Sequence, residues 1–130
     1  LVQFHGEESP DYCAAYGASY MKAVRVRDRD SVQQAAAHYP DAAGLLLDTY
    51  HPVLAGGTGQ AFDWQLVPRE CSRPMVLAGG LDSTNVARAI RATTPFAVDV
   101  SGGIEQAKGV KDPAKMRAFV AEVNTVECEQ

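Results

Sequence analysis

The 130-residue chain is long enough for one domain and shorter than a complete eight-fold β/α barrel, which needs about 200 residues. Hydrophobic residues make up 46% and charged residues 22%, the balance of a globular protein and too apolar for a disordered one. Twelve Lys and Arg against sixteen Asp and Glu leave a net charge of −4 with no basic patch, so a nucleic-acid partner is not expected.

Val2-Gln3-Phe4 reads as a first strand. Ser9 before Pro10 is an N-cap followed by a proline in the first helical position, and Gly17 closes that short helix. Tyr20 to Val24 reads as a second strand. After Asp28 and Asp30, residues Val32, Ala35, Ala36 and Tyr39 repeat at amphipathic spacing until Pro40 stops the helix. Gly44 to Leu47 is a third strand, followed by a loop from Thr49 to Ala61 that contains Gly56-Gly57-Thr58-Gly59, then a brief helical segment from Asp63 to Val67. A loop longer than an ordinary β/α connection points to function.

Pro74 to Ala78 is the fourth strand. Asp82 or Ser83 then caps a helix in which Val86, Ala89 and Ile90 share a face, ended before Pro95. Phe96 to Val100 is the fifth strand. Asp112 and Pro113 open the last helix, whose stripe of Met116, Phe119, Val120 and Val123 is expected to be core. The strands are mostly continuous apolar runs, the pattern of parallel strands covered on both faces. Right-handed crossovers make five consecutive β/α units either part of a TIM (β/α)8 barrel or a flavodoxin-like open parallel sheet, and element order leaves both open.

Cys13, Cys71 and Cys128 are odd in number and far apart, fitting neither a disulfide framework nor a C-x-x-C pair. They read as reduced thiols of a cytoplasmic protein. No run reaches the roughly 18–20 apolar residues of a membrane span, and the N-terminus carries neither a basic leader nor an apolar signal core. Membrane contact is not expected. The first methionine is Met21, so the natural start is expected to lie upstream of Leu1.

In either architecture ligands bind at the carboxyl ends of the strands. The residues there are His5-Gly6-Glu7, Arg25, Asp48, Gly79-Gly80, and Asp99 with Ser101-Gly102-Gly103. Asp48 emerges from Leu45-Leu46-Leu47, and a carboxyl partly desolvated at such a rim can act as a general acid. An aspartate that caps a turn or pairs with a basic side chain would occupy the same position. Gly79-Gly80 and Ser101-Gly102-Gly103 let backbone N–H groups approach an anion closely, although tight turns without a ligand would use the same glycines. Strand alternation puts Asp99 on the face of Ala97 and Ser101, as a buried structural acceptor or a ligand-facing group. His5 can donate to a ligand or serve structure; His38 and His51 read as solvated. Gly56-Gly57-Thr58-Gly59 lacks the spacing of a nucleotide-binding loop and reads as a flap or turn.

These segments resemble the C-terminal part of the phosphoribosylanthranilate isomerase family. The resemblance is carried by Val2-Gln3-Phe4-His5-Gly6-Glu7, Leu46-Leu47-Asp48-Thr49, Gly56 to Trp64, Leu77-Ala78-Gly79-Gly80-Leu81 with Asn85-Val86, and Ala97 to Glu105 with Gly109, Lys111 and Asp112. They occur in family order over almost the whole chain. The resemblance implies that the five strands are the fourth to eighth of a barrel whose first three β/α units are absent. The implied activity is an Amadori rearrangement of N-(5′-phosphoribosyl)anthranilate in tryptophan biosynthesis, without metal or organic cofactor.

By position, Asp48 resembles the general acid of that family. Gly79, Gly80, Ser101 and Gly102 resemble its phosphate cradle, and His5 and Asp99 match substrate-pocket positions. Gly102 stands where a second serine is frequent, which removes a hydroxyl and leaves the backbone N–H. The family's general base, a cysteine ending the first strand of the barrel, has no counterpart here, nor has the arginine that holds the anthranilate carboxylate. The chain alone is therefore expected to be inactive, with the missing N-terminal barrel segment as its partner. Another phosphate-handling barrel enzyme and a non-catalytic module binding a phosphorylated metabolite are the alternatives.

Overall fold

The computed structural model describes residues 1–49 and 64–127. Five parallel strands form one sheet in chain order: β1 (Val2–Phe4), β2 (Tyr20–Arg25), β3 (Gly44–Asp48), β4 (Met75–Ala78) and β5 (Ala97–Val98). The helices are α1 (Pro10–Ala15), α2 (Ser31–His38), α3 (Val86–Thr93) and α4 (Pro113–Glu127). A small antiparallel hairpin, β6 (Glu105–Ala107) and β7 (Val110–Lys111), lies between β5 and α4.

Register shows which side chains share a face, because partners in adjacent strands point the same way. Phe4, Lys22, Leu45 and Met75 stand in one row, and Val24, Leu47, Leu77 and Val98 in the next. The buried residues Cys13 of α1, Val32 and Ala36 of α2, Val86 and Ala89 of α3 and Phe119 of α4 join Phe4, Leu45, Leu47, Met75 and Leu77 in one core. The helices thus pack on the face these rows present. On the other face, Ala23, Leu46, Val76 and Ala97 form one row and Arg25, Asp48 and Ala78 the next.

The sequential strand order and one-sided helix layer contradict the flavodoxin-like alternative, whose sheet reverses direction and takes helices on both faces.

Local signals placed two helix starts correctly. Ser9 accepts the Tyr12 N–H at 3.1 Å, and Asp112 accepts the Ala114 and Lys115 N–H groups at 2.9 and 3.3 Å. Helix α3 instead has Asn85 at its N-cap. Asp82 lies in the preceding turn, where its carboxylate accepts the Thr84 N–H at 2.8 Å. The α4 stripe is only partly core: Phe119 and Val126 are buried, but Met116 and Val120 are 43% and 56% exposed. Helix α4 packs beside α3, and no later helix of the described chain covers its other flank.

The fifth strand is shorter than expected, Ala97–Val98, and forms a sheet edge. Of the expected helical segment after the long loop, Trp64–Leu66 forms one 3-10 turn. The Gly56-Gly57-Thr58-Gly59 loop, His51 and Cys128 lie outside the described residues.

Candidate active site

The carboxyl ends of β3, β4 and β5 frame one cavity of about 440 Å³. Asp48, Gly79, Gly80, Asp99, Ser101 and Gly102 all line it. Sheet order explains the convergence: β3, β4 and β5 are neighbours, so the residues just beyond them share a rim.

Asp48 is half-buried at the end of β3, with Arg25 of β2 as its register partner. Gly79 and Gly80 follow β4 with φ of 93° and 65°, which side-chain-bearing residues adopt only with strain. Two consecutive left-handed residues turn the chain sharply and leave its backbone facing the cavity. Asn85 braces this turn: its Nδ2 donates to Gly80 O at 3.1 Å, and its Oδ1 accepts the Asp82 N–H at 2.9 Å. The Asn85 side chain is buried, a structural role that the residue order alone did not disclose.

Past β5, the Asp99 N–H donates to Leu77 O at 2.8 Å and continues the sheet pattern by one residue. Asp99 shares the side of Ala97, as alternation requires, but it is exposed rather than buried because β5 is an edge strand. The chain then passes through Ser101 into the 3-10 turn Gly102–Ile104. A Cβ at Gly103 would lie 1.8 Å from Leu81 O, so the loops after β4 and β5 touch backbone to backbone.

Among the described residues, those lining the cavity include Asp48, Asp82 and Asp99 but no lysine or arginine. An anion bound here would be held by backbone N–H groups at the glycine turns rather than by side-chain charge.

His5 stands apart from this group. It is exposed at the end of β1, the opposite edge strand from β5, with Nδ1 2.9 Å from Gln3 Nε2. The loop that carries it is tied down by Lys22, a buried lysine that the apolar reading of β2 passed over. Lys22 Nζ donates to Gly6 O at 2.7 Å, Ala23 O at 3.1 Å and Phe4 O at 3.5 Å, and lies 5.3 Å from the Tyr39 ring centroid. His38 is exposed at the end of α2.

Cys13 is buried on α1, where desolvation and the nearby Glu8 charge push its thiol above the ordinary range. It points into the helix-side core, away from the rim. Among the described residues no group of three or more His, Cys, Asp or Glu is placed to hold a metal ion, and no helix is long and apolar enough to cross a membrane.

A parallel β/α sheet with helices on one side and its polar and glycine residues gathered at the strand carboxyl ends defines a β/α protein of the barrel kind. The family model described as N-(5′-phosphoribosyl)anthranilate (PRA) isomerase matches residues 1–122, and the chain belongs to that family. It is 54% identical over 123 residues to N-(5′-phosphoribosyl)anthranilate isomerase of Pseudomonas fluorescens, a match covering 95% of this chain and 59% of the relative. The chain therefore spans about three fifths of that relative's length.

Among solved structures, phosphoribosyl anthranilate isomerase from Thermotoga maritima superposes with a TM-score of 0.80 at 39% identity, covering 95% of this chain and 61% of that one. A complex of the isomerase with reduced 1-(o-carboxyphenylamino)-1-deoxyribulose 5-phosphate gives a TM-score of 0.78 at 36% identity, covering 95% and 59%. The fold is TIM-barrel-like.

Proposed function

We propose that the chain forms the C-terminal five β/α units of a phosphoribosylanthranilate isomerase barrel and carries the acid and phosphate half of its active site. The observation behind this reading is that Asp48 and both glycine loops line one cavity in a chain of this family. A similar solved protein holds a reduced product analogue with a 5-phosphate, the ligand chemistry that such a cavity would take.

The reaction converts N-(5′-phosphoribosyl)anthranilate into 1-(2-carboxyphenylamino)-1-deoxyribulose 5-phosphate. The Asp48 carboxyl gives its proton to the ribose ring oxygen as the bond between that oxygen and C1′ breaks, leaving a protonated Schiff base. A base removes the C2′ proton, and the electron pair moves into the C1′–C2′ bond to give an enolamine, which relaxes to the ketone. Only protons and electron pairs shift within one substrate, so the rearrangement needs no metal or organic cofactor.

Backbone N–H groups of Gly79, Gly80, Ser101 and Gly102 hold the phosphate, and Asp99 faces the sugar. His5, at the far end of the rim, reaches the substrate from the opposite side of a closed barrel.

The base comes from the upstream segment. Cys13 is buried against the helices with its thiol pushed up, and Cys71 precedes β4 at the opposite end of the sheet. The chain alone is accordingly inactive. The upstream units also cover apolar surface at both sheet edges: Leu1 beside β1 is 82% exposed and Phe96 beside β5 is 80% exposed. An apolar groove along β5, lined by Ile90, Phe96, Val98, Val123 and Val126, receives the neighbouring unit. The assembled enzyme works in the cytoplasm.

The test is a substrate-fluorescence assay of the chain alone and mixed with a three-unit N-terminal segment from a relative. Activity only in the mixture supports the reading. Activity of the chain alone overturns the claim that its base lies elsewhere, and none in either overturns the assignment of a competent half-site.

A further inference from the structure

Among the described residues the cavity lining has three aspartates and no lysine or arginine, so an anion there depends on where the backbone N–H groups point. One lysine bonds to this wall without lining the cavity. Lys111 Nζ donates to the Ser101 carbonyl at 2.9 Å and stands 3.4 Å from Glu105 Oε1. In a planar trans peptide the carbonyl and the following N–H point in opposite directions. Holding Ser101 O toward Lys111 therefore turns the Gly102 N–H away from it. Ser101 and Gly102 line the cavity, and Lys111 does not.

The lysine is itself braced. It ends β7, paired with Glu105 of β6. The Glu105 carboxylate also accepts the Gly109 N–H, at the φ +80° turn of the hairpin. Lys115 of α4 donates to Glu105 O at 2.8 Å, and the Asp112 N–H donates to Ile104 O at 2.8 Å. The base of the hairpin is thus fastened to Ile104 and to α4, and it delivers one ammonium to the Ser101 carbonyl. The Lys111 side chain is 44% exposed, but its acceptor is a main-chain atom of a residue that lines the cavity.

We propose that Lys111 is a positioning residue for anion binding, fixing the Ser101–Gly102 peptide so that the Gly102 N–H faces the phosphate. This rests on the reading of the glycine loops as a phosphate cradle.

The test is titration of the 130-residue chain with inorganic phosphate at constant ionic strength, followed by the amide resonances of Gly79, Gly80 and Gly102. Thermal midpoints are recorded for each variant. Lys111→Met is expected to raise the phosphate Kd about tenfold, the effect of losing one charge-assisted hydrogen bond, without moving the midpoint by more than a few degrees. Lys111→Arg, which keeps a cationic donor, is expected to restore binding to within about threefold.

Equal binding by Lys111→Met and the unsubstituted chain overturns the inference while leaving the cradle in place. So does a loss in Lys111→Met that tracks unfolding and is not recovered by arginine. No response to phosphate in the unsubstituted chain overturns the cradle reading itself, and the role of Lys111 with it.

Discussion

Gly103 and Leu81 meet so closely that a Cβ on residue 103 would stand 1.8 Å from the Leu81 carbonyl oxygen and 2.9 Å from its carbon. The loops after β4 and β5 are therefore one unit, and the cavity between Gly79-Gly80 and Ser101-Gly102 has its width set by this contact. Gly103→Ala must push the loops apart, at a cost of about 1–3 kcal/mol typical of overpacking. Gly102→Ala is its control, because a Cβ there meets nothing within 4 Å. Denaturant midpoints are expected to fall for Gly103→Ala and to stay near the starting value for Gly102→Ala.

Lys22 should be costly to remove despite lying outside the cavity. Its ammonium satisfies three carbonyls in a buried site and spans the loop from Phe4 to Gly6 that carries His5. Lys22→Met keeps the bulk of the stem but leaves those acceptors without their donor, a loss of about 1–3 kcal/mol in unfolding free energy. Urea unfolding measures it, and a change under about 0.5 kcal/mol, the size of an ordinary surface substitution, would contradict this account.

Leu47 and Leu77 sit in register at the centre of the helix-facing sheet surface, both fully buried. Leu77→Ala is expected to destabilise by about 2–5 kcal/mol, a large share of what a domain of this size holds. Met116→Ala on the exposed flank of α4 should cost far less in the chain alone. The difference between the two in parallel thermal melts checks that the core lies on one side of the sheet.

Two half-buried carboxylates contribute to the acid limb of stability. The Gly6 N–H holds the Glu8 carboxyl below its ordinary value of 4.5, and the Gly109 N–H, with Lys111, does the same for Glu105. A depressed folded-state value favours the native state wherever the carboxylate is charged. Its contribution is full above about pH 4.5 and fades as pH falls through the lower folded-state range. Glu105→Gln should flatten that part of a stability-against-pH curve, leaving the region above pH 5 with only a constant offset.

Much of this arrangement is readable from short-range pattern. Ser9-Pro10 and Asp112-Pro113 open helices because caps act within three residues, and Leu45-Leu46-Leu47 reads as a buried strand because its apolarity is continuous. The glycine pairs and Asp48 were identifiable as rim residues once strand ends were placed, and the cavity brings them together. What was not readable depends on distant neighbours. Asp99, Met116 and Val120 are exposed because β5 is an edge strand and α4 has one flank without a neighbouring helix among the described residues. Lys22 interrupts an apolar strand yet is buried, since its acceptors come from β1 and the following loop. The β6–β7 hairpin is too short for periodicity to mark, and Gly109 is its main local sign.

The central claim is that Asp48 is the general acid of a half-site completed by an upstream segment. The most direct test measures kcat for phosphoribosylanthranilate with Asp48→Asn in the chain mixed with a three-unit N-terminal partner, alongside phosphate binding by the same variant. The account predicts a fall of about 10²–10⁴ in kcat, the contribution of a positioned acid, with phosphate affinity unchanged or slightly improved by removal of a negative charge. A variant that retains most of its kcat would contradict it.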